Sequence, residues 1–258
     1  MKESLYVIKV GGAIVEQPDR MNGFIDSFLS VPGHKILVHG GGRSATRLAS
    51  RLGLESHMVD GRRITDSEML EIVTMVYGGL VNKNIVAGLQ KRGTDAIGLT
   101  GADGDAIRAV KRMPLNGVDY GFVGDVESVN TDFLAEILER NMVPVLAPLT
   151  HDGFGSMLNT NADTIAAATA EAFADVWDVS LVYCFEKPGV LTDPDDDSSA
   201  IPLLSYGDYK RLVGSGIISG GMIPKLENAF MSLEAGVSRV IITSAENLAE
   251  LRGTVVRL

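Results

Sequence analysis

One cysteine, Cys184, stands in 258 residues. No internal disulfide can form, and a reducing cytosol is the simplest home. Aromatic residues are scarce at 6%. Basic residues are also in deficit, with 23 Lys and Arg against 33 Asp and Glu, a formal net charge of −10. That balance excludes a general affinity for nucleic acid or anionic membranes. An anionic substrate therefore needs a local basic cluster set against the overall field. No apolar run reaches membrane-spanning length. The apolar stretch Leu5 to Val10 is too short for a signal h-region and lacks a cleavage site.

Several motifs are missing. No Gly-x-x-x-x-Gly-Lys-Ser/Thr occurs, so a Walker-type loop is excluded. No Gly-x-Ser-x-Gly occurs, and Cys184 lies inside an apolar strand, which argues against serine-elbow and thiol catalysis. The four histidines, 34, 39, 57 and 151, make no metal-binding spacing. His39 reads as a packing or backbone partner rather than a catalyst.

Glycine, by contrast, is plentiful at 29 residues. It is concentrated where the chain turns. Ile36 to Val38 is a short apolar strand, Gly40-Gly41-Gly42 follows, and Ala45, Leu48, Ala49 and Leu52 then recur at helical spacing. A strand, glycine turn and helix in that order expose bare N–H groups at a helix N-terminus, a natural anion site. A first strand, Leu5 to Ile8, ends the same way in Lys9-Val10-Gly11-Gly12. Two glycine-lined strand ends suggest a phosphate held between adjacent loops. Gly40-x-Gly42-x-x-Ala45, with Asp60 downstream, also fits a dinucleotide fingerprint, so a nicotinamide-dependent oxidoreductase is the competing class.

Along the chain, strands alternate with helices. Helices are expected over Phe24 to Leu29, Ser67 to Leu89 (interrupted at Gly78-Gly79), Thr131 to Arg140, Asn159 to about Ala174, Ser205 to Val213 and Pro224 to Ala235. Strands are expected at Ala96 to Leu99, Val143 to Ala147, Val179 to Phe185, Arg239 to Thr243 and Thr254 to Leu258. Residues 106–130 read as a β-hairpin excursion. The pattern argues for a mostly parallel sheet covered on both faces. The lobe boundary is expected near residues 175–180.

Four charged or polar positions stand out. Lys9 closes a strand, where a solvated lysine is the ordinary reading, yet parallel sheets bind ligands at that edge. Lys225 follows Pro224 in the first turn of a helix, where the macrodipole disfavours a cation unless an anion is near. Asp163, with Asn159 and Asn161, exceeds what a single N-cap requires. Arg63 sits beside a turn, and a fixed guanidinium is the usual fork for a carboxylate.

Lys9-Val-Gly-Gly12, His39-Gly-Gly-Gly42, Asp60-Gly-Arg-Arg63, Asn82-Lys83, Asn159-Thr-Asn-Ala-Asp163 and Gly220-Gly-Met-Ile-Pro-Lys225 occur in that order. This set, spread over residues 5–257, resembles the amino acid kinase family, and within it the acylglutamate kinases. The resemblance implies a three-layer α/β/α sandwich around a largely parallel sheet of about eight strands. It implies a lobe of residues 1–177 for acylglutamate binding and dimerisation, and one of residues 178–258 for ATP. The implied reaction phosphorylates the side-chain carboxylate of an N-acyl-L-glutamate in arginine biosynthesis. Acetyl is the family default for the acyl group, with N-succinyl-L-glutamate as one alternative substrate and a carbamate, aspartate or glutamate kinase activity as another.

The resemblance also implies roles. Lys9 and Lys225 would neutralise the moving phosphoryl group, held by Asp163. The amides of Gly11, Gly12, Gly41 and Gly42 would cradle the phosphoryl group and acceptor carboxylate. Arg63 and Asn159 would grip the α-carboxylate. Glu186, Lys187, Gly189, Val190, Leu191, Ile217, Ile218 and Ser219 would contact ATP, although the family often has an aspartate where Glu186-Lys187 stands. Mg²⁺ would arrive on the nucleotide, and no protein-held metal is expected. The chain begins almost at its first strand, which implies a cytoplasmic homodimer without the arginine feedback that an additional N-terminal helix brings.

Overall fold

Strand β1, Ser4–Val10, divides its side chains by alternation. Leu5 and Val7 enter one apolar core, while Ile8 and Val10 enter a second. A strand buried on both faces belongs in the middle of a sheet sandwiched by helices. β1 lies there in the computed structural model, which describes residues 2–59 and 62–258.

The central sheet has eight strands: β1, β2 (His34–His39), β3 (Ala96–Leu99), β4 (Val143–Leu146), β5 (Asp178–Phe185), β6 (Leu203–Ser205), β7 (Arg239–Ser244) and β8 (Thr254–Arg257). Their order is β6-β8-β7-β5-β1-β2-β4-β3, and every neighbouring pair is parallel except β7 with β8. The expected α/β sandwich is therefore present. The chain leaves β1 toward β2 on one side, while β5 continues away on the other. Val10 pairs with His39 on one flank and Cys184 on the other, so three carboxyl ends emerge together. Such a switch point opens a crevice beyond the strand ends.

Helices α1 (Gly12–Val15), α2 (Pro18–Ser30), α3 (Gly42–Arg51) and α4 (Ser67–Gln90) cover the face of Ile8 and Val10. Helices α5 (Thr131–Glu139), α6 (Ala162–Phe173), α7 (Tyr206–Gly214) and α8 (Met222–Glu234) cover the other. The fully buried Ala166 and Ala170 let α6 lie close on β1 and β5. Lys9, two residues after Val7, shares that face and so points toward α6 and α8 rather than into water.

Helix α4 differs from expectation. Gly78-Gly79 does not interrupt it. The helix widens into π-type turns over Thr74–Val81 and continues to Gln90. Such bulges cluster at functional sites. By length and composition alone α4 could cross a membrane, although polar residues interrupt its apolar ones throughout. In the fold Met69, Ile72, Ile85 and Leu89 are buried in the core beside the sheet, while Met75 and Leu80 on the outer side are exposed.

The hairpin expected over residues 106–130 is present as antiparallel Ile107–Lys111 and Gly124–Val129. It belongs to a second sheet with Leu149–His151 and Met157–Asn159, strands too short for sequence patterning to show. Asp60 and Gly61 lie outside the described residues, and Arg62–Arg63 pairs with Met58–Val59. Cys184 is buried, and burial pushes its thiol up to about 12, consistent with an inert core residue.

Candidate active site

The N-terminus of α6 is shaped by Asn161. Its side-chain oxygen accepts the Asp163 amide at 2.7 Å and the Thr164 amide at 3.3 Å. This cap fixes Asp163 in the first turn, buried and facing the end of β1. Lys9 Nζ lies 2.7 Å from Asp163 Oδ1, an ion pair outside hydrogen-bond angles, and Lys225 Nζ lies 3.2 Å from Oδ2. Lys9 comes from β1, Asp163 from α6 and Lys225 from the first turn of α8. All three expected residues meet at one point.

Burial pushes the Asp163 carboxyl up, but the two ammonium groups outweigh it and hold the group below its usual value. The trio carries two positive charges and one negative, a surplus that an anion would neutralise. Phe185, the last residue of β5, completes the cluster. Its ring centroid is 4.9 Å from Lys9 Nζ and 5.1 Å from Lys225 Nζ. Sequence reading missed Phe185, although strand alternation from Tyr183 puts it on the Lys9 face.

The two glycine turns stand beside the lysines. Gly11 N–H donates to the Cys184 carbonyl at 3.0 Å, and Gly40 N–H donates to the Val10 carbonyl at 3.1 Å. Those bonds pin both turns to the strand ends. They also correct one expectation: the Gly11 amide is engaged by the sheet and is not a donor to the cleft. Among the described residues, the amides of Gly12, Gly41 and Gly42 have no acceptor within the chain. A side chain on Gly12 would place its first carbon 3.4 Å from Gly41 N and 3.8 Å from Gly42 N, with an oxygen of the Glu16 carboxylate, which accepts from the Ser44 amide at 2.7 Å, 3.7 Å from the same point. The surrounding cleft, about 600 Å³, is lined by Lys9, Gly12, Gly41, Phe185, Glu186 and Lys225.

A second cleft of about 190 Å³ shares Gly40 to Gly42 with the first. Arg63 and Asn159 line it, as expected. Arg63 is buried, and its Nη2 donates to the Gly42 carbonyl and to Thr46 Oγ1, each at 2.9 Å. Asn159 Nδ2 donates to Thr65 Oγ1 at 2.9 Å. Tyr77, delivered by the π-type turn of α4, packs where Gly41 has no side chain, since a carbon there would lie 2.8 Å from the ring. Tyr77, Val123 and Pro148 form an apolar part of the lining, with Arg62 beside them. None of these four was singled out in the sequence. The pairing of Arg62 with Arg63 was visible there, but not the direction of either side chain.

The segments expected to meet ATP are divided. Glu186 lines the larger cleft with Lys225, and its carboxylate pairs with Arg20 at 2.7 Å and Arg43 at 3.8 Å. Lys187 pairs with Asp197 at 2.9 Å and lines a different depression, beside Asp19 and Glu246. That depression adjoins the larger cleft, with which it shares Phe185 and Glu186. Val190 and Ile218 are core side chains. The Val190 amide donates to Thr254 Oγ1 at 2.8 Å, and Gly189 packs closely on Thr254. Leu191 bridges to Ala200, whereas Ile217 and Ser219 are exposed. The Asp163 oxygens are both held by ammonium groups and are not free to ligate a metal.

Comparison with known proteins adds a separate line. The model of the amino acid kinase family matches residues 4–244. The chain is 63% identical over 257 residues to the acetylglutamate kinase of Phocaeicola vulgatus, across 100% of both chains. It is 59% identical to that of Bacteroides fragilis, across 98% of this chain and 97% of the other. A crystal structure from Streptococcus mutans superposes with a TM-score of 0.80 at 29% identity, covering 98% of each chain.

If the open face of Gly12 is what leaves room for an anion, Gly12→Leu should fill it. We expect phosphate or ATP binding, measured by calorimetry, to weaken at least about tenfold while the melting temperature moves little. Unchanged anion affinity would place the anion elsewhere.

Proposed function

The chain belongs to the amino acid kinase family, and from that premise we propose that it transfers the terminal phosphoryl group of ATP to the side-chain carboxylate of N-acetyl-L-glutamate, in arginine biosynthesis. The observation that carries the reading is the Lys9–Asp163–Lys225 cluster at the rim where two clefts share one glycine turn. The smaller cleft takes the amino acid and the larger one the phosphates. A nicotinamide-dependent reading has no comparable support, because the relatives at high identity are kinases.

The chemistry needs alignment and charge neutralisation rather than a base. A glutamate side chain, with an ordinary pKa of about 4.3, is already ionised at neutral pH. Its oxygen forms a bond to the γ-phosphorus as the bond to the bridging oxygen breaks, and that electron pair leaves with ADP. Lys9 and Lys225 neutralise the equatorial oxygens as the group crosses, and Asp163 keeps their tips together. The amides of Gly12, Gly41 and Gly42 hold the phosphoryl group and the acceptor carboxylate. Arg63 and Asn159 grip the α-carboxylate. Mg²⁺, bound to the nucleotide, would shield the phosphate charges. Glu186, Lys187, Gly189 to Leu191 and Ile217 to Ser219 form the ATP side, largely through backbone where the side chains are core.

Residues 1–177 then act as the acylglutamate lobe and residues 178–258 as the nucleotide lobe, each contributing four strands to the sheet. A cytoplasmic homodimer completes the proposal. It is supported by the exposed Met75 and Leu80 on the outer side of α4.

One observation favours a second reading of the acyl group. Arg62 lines the amino-acid cleft, and no ion pair engages it among the described residues. Burial, then the charge of Arg112, lowers its pKa against the opposing charges of Asp125 and Tyr120, so a further carboxylate in the cleft would stabilise the guanidinium. A succinyl terminus supplies that carboxylate and an acetyl group does not.

Three measurements check these points. In a coupled ADP-release assay, Lys9→Ala and Lys225→Ala should each lower kcat by about 10²–10³-fold, while Arg63→Ala mainly raises KM for the amino acid. Equal, small effects at all three positions would show that the chemistry happens elsewhere. For the acyl group, kcat/KM for N-succinyl- and N-acetyl-L-glutamate should be compared with and without Arg62→Leu. A loss of about tenfold confined to the succinyl substrate assigns Arg62 to the acyl terminus, and an unaltered ratio leaves acetyl as the substrate. Light scattering should give twice the chain mass, and a monomer that Met75→Glu leaves unchanged would refute the dimer.

A further inference from the structure

The Asn82-Lys83 pair lines neither cleft. Asn82 is nonetheless fully buried beneath the glycine turn that both clefts share. Its Nδ2 donates to the Val145 carbonyl at 2.9 Å and lies 3.1 Å from His39 Nε2. Lys83 Nζ donates to Asn82 Oδ1 at 3.1 Å and to the Gly98 carbonyl at 2.8 Å. The lysine therefore decides which end of the amide faces the imidazole. Gly98 has no side chain because one would overlap that amide.

The consequence passes through the ring. With Nε2 accepting from Asn82, the proton sits on Nδ1, which donates to the Gly40 carbonyl at 2.8 Å. His39 is buried, and burial pushes its pKa down to about 4, the Gly40 bond opposing and the Lys83 charge assisting. The charged group that bears on the ring is thus Lys83 of α4. Its polar neighbours are Asn82 and the Gly40 carbonyl. The imidazole is neutral at physiological pH and holds one tautomer.

A trans peptide points its C=O and N–H in opposite directions. No cis peptide occurs among the described residues. The Gly40 carbonyl is drawn toward His39, on the α4 side of the sheet. The N–H of Gly41, in the same peptide plane, must then face the other way. That is the side of Gly12, where a first side-chain carbon would lie 3.4 Å from this nitrogen. An amide aimed in advance at a developing charge needs no reorganisation when the charge arrives.

We infer that Lys83, Asn82 and His39 form a positioning relay that aims the Gly41 N–H at the phosphoryl group in transit. The inference rests on the kinase reading of the cleft. It predicts effects from residues that touch neither substrate, and it predicts their pattern.

Steady-state kinetics with ATP and N-acetyl-L-glutamate provide the test, using His39→Leu, His39→Asn and Asn82→Asp. His39→Leu should lower kcat by about 10²-fold with each KM within about threefold. His39→Asn keeps a donor near the Nδ1 position and should recover most of that loss. In Asn82→Asp the new carboxylate favours a protonated Nε2 and raises the imidazole pKa. The relay is then intact at low pH and lost as pH rises through the raised value. Its kcat should fall between about pH 6 and 8, where the wild type is flat. The relay is overturned if His39→Leu and His39→Asn lose the same activity, or if the Asn82→Asp profile runs parallel to wild type. If His39→Leu does not fold, the Asn82→Asp profile decides alone. A silent wild type would overturn the kinase reading instead, a result no relay variant can mimic.

Discussion

Asp163 is the constraint on which the rest depends. Two ammonium groups 2.7 and 3.2 Å from one carboxylate would repel each other without it, and a buried carboxylate would be costly without them. Neither charge type is stable there alone. The fold satisfies both by converging a strand end and two helix N-termini on one point. The result is a rigid, positive, partly desolvated corner. The flat face of Phe185 tolerates both cations and excludes water from one side. The phosphoryl group of the proposed reaction would supply the missing negative charge, and the site would then be better balanced with the group in transit than without it.

Around that corner the chain uses backbone where many enzymes use side chains. Gly11 and Gly40 lash their turns to the ends of β5 and β1, and Gly12, Gly41 and Gly42 present amides to the gap. The carbonyls matter equally. Gly42 turns its oxygen to Arg63, and Gly40 turns its oxygen to His39. Each carbonyl drawn away from the cleft leaves an N–H facing into it or beside it. The end of β2 directly before the loop, and the more distant α4 and Arg62–Arg63 strand, thereby act on one short turn.

Much of this geometry was legible in the sequence, because it follows from local rules. Alternation along β1 sends Lys9 to the α6 face. The Asn161 cap sets Asp163 in a first turn, and the misplaced positive charge of Lys225 at a helix start announces an anion. What the linear chain concealed depends on angles and neighbours. The π-type turns rotate Tyr77 against Gly41, and no periodicity in Thr74–Val81 announces them. Gly11 looked like a donor because glycine pairs suggest open amides, yet sheet pairing occupies that one. The resemblance puts Lys187 among the nucleotide contacts, but the ion pair with Asp197 that engages its side chain could not be read from the linear chain. Val190 and Ile218 belong to the core, which residue order alone could not separate from a ligand-facing role.

The edge of the sheet carries a consequence for local opening. Among the described residues, strand β6 has one sheet partner, β8. Thr254 of β8 also receives the Val190 amide and donates to the Ile201 carbonyl at 2.5 Å. The segment from Gly189 to Ser205 therefore reaches the central sheet through β8 alone, and one threonine hydroxyl clasps both of its ends. Loosening Thr254 would unfasten Val190 and Ile201 together, and with them the margin of the half that carries Lys225.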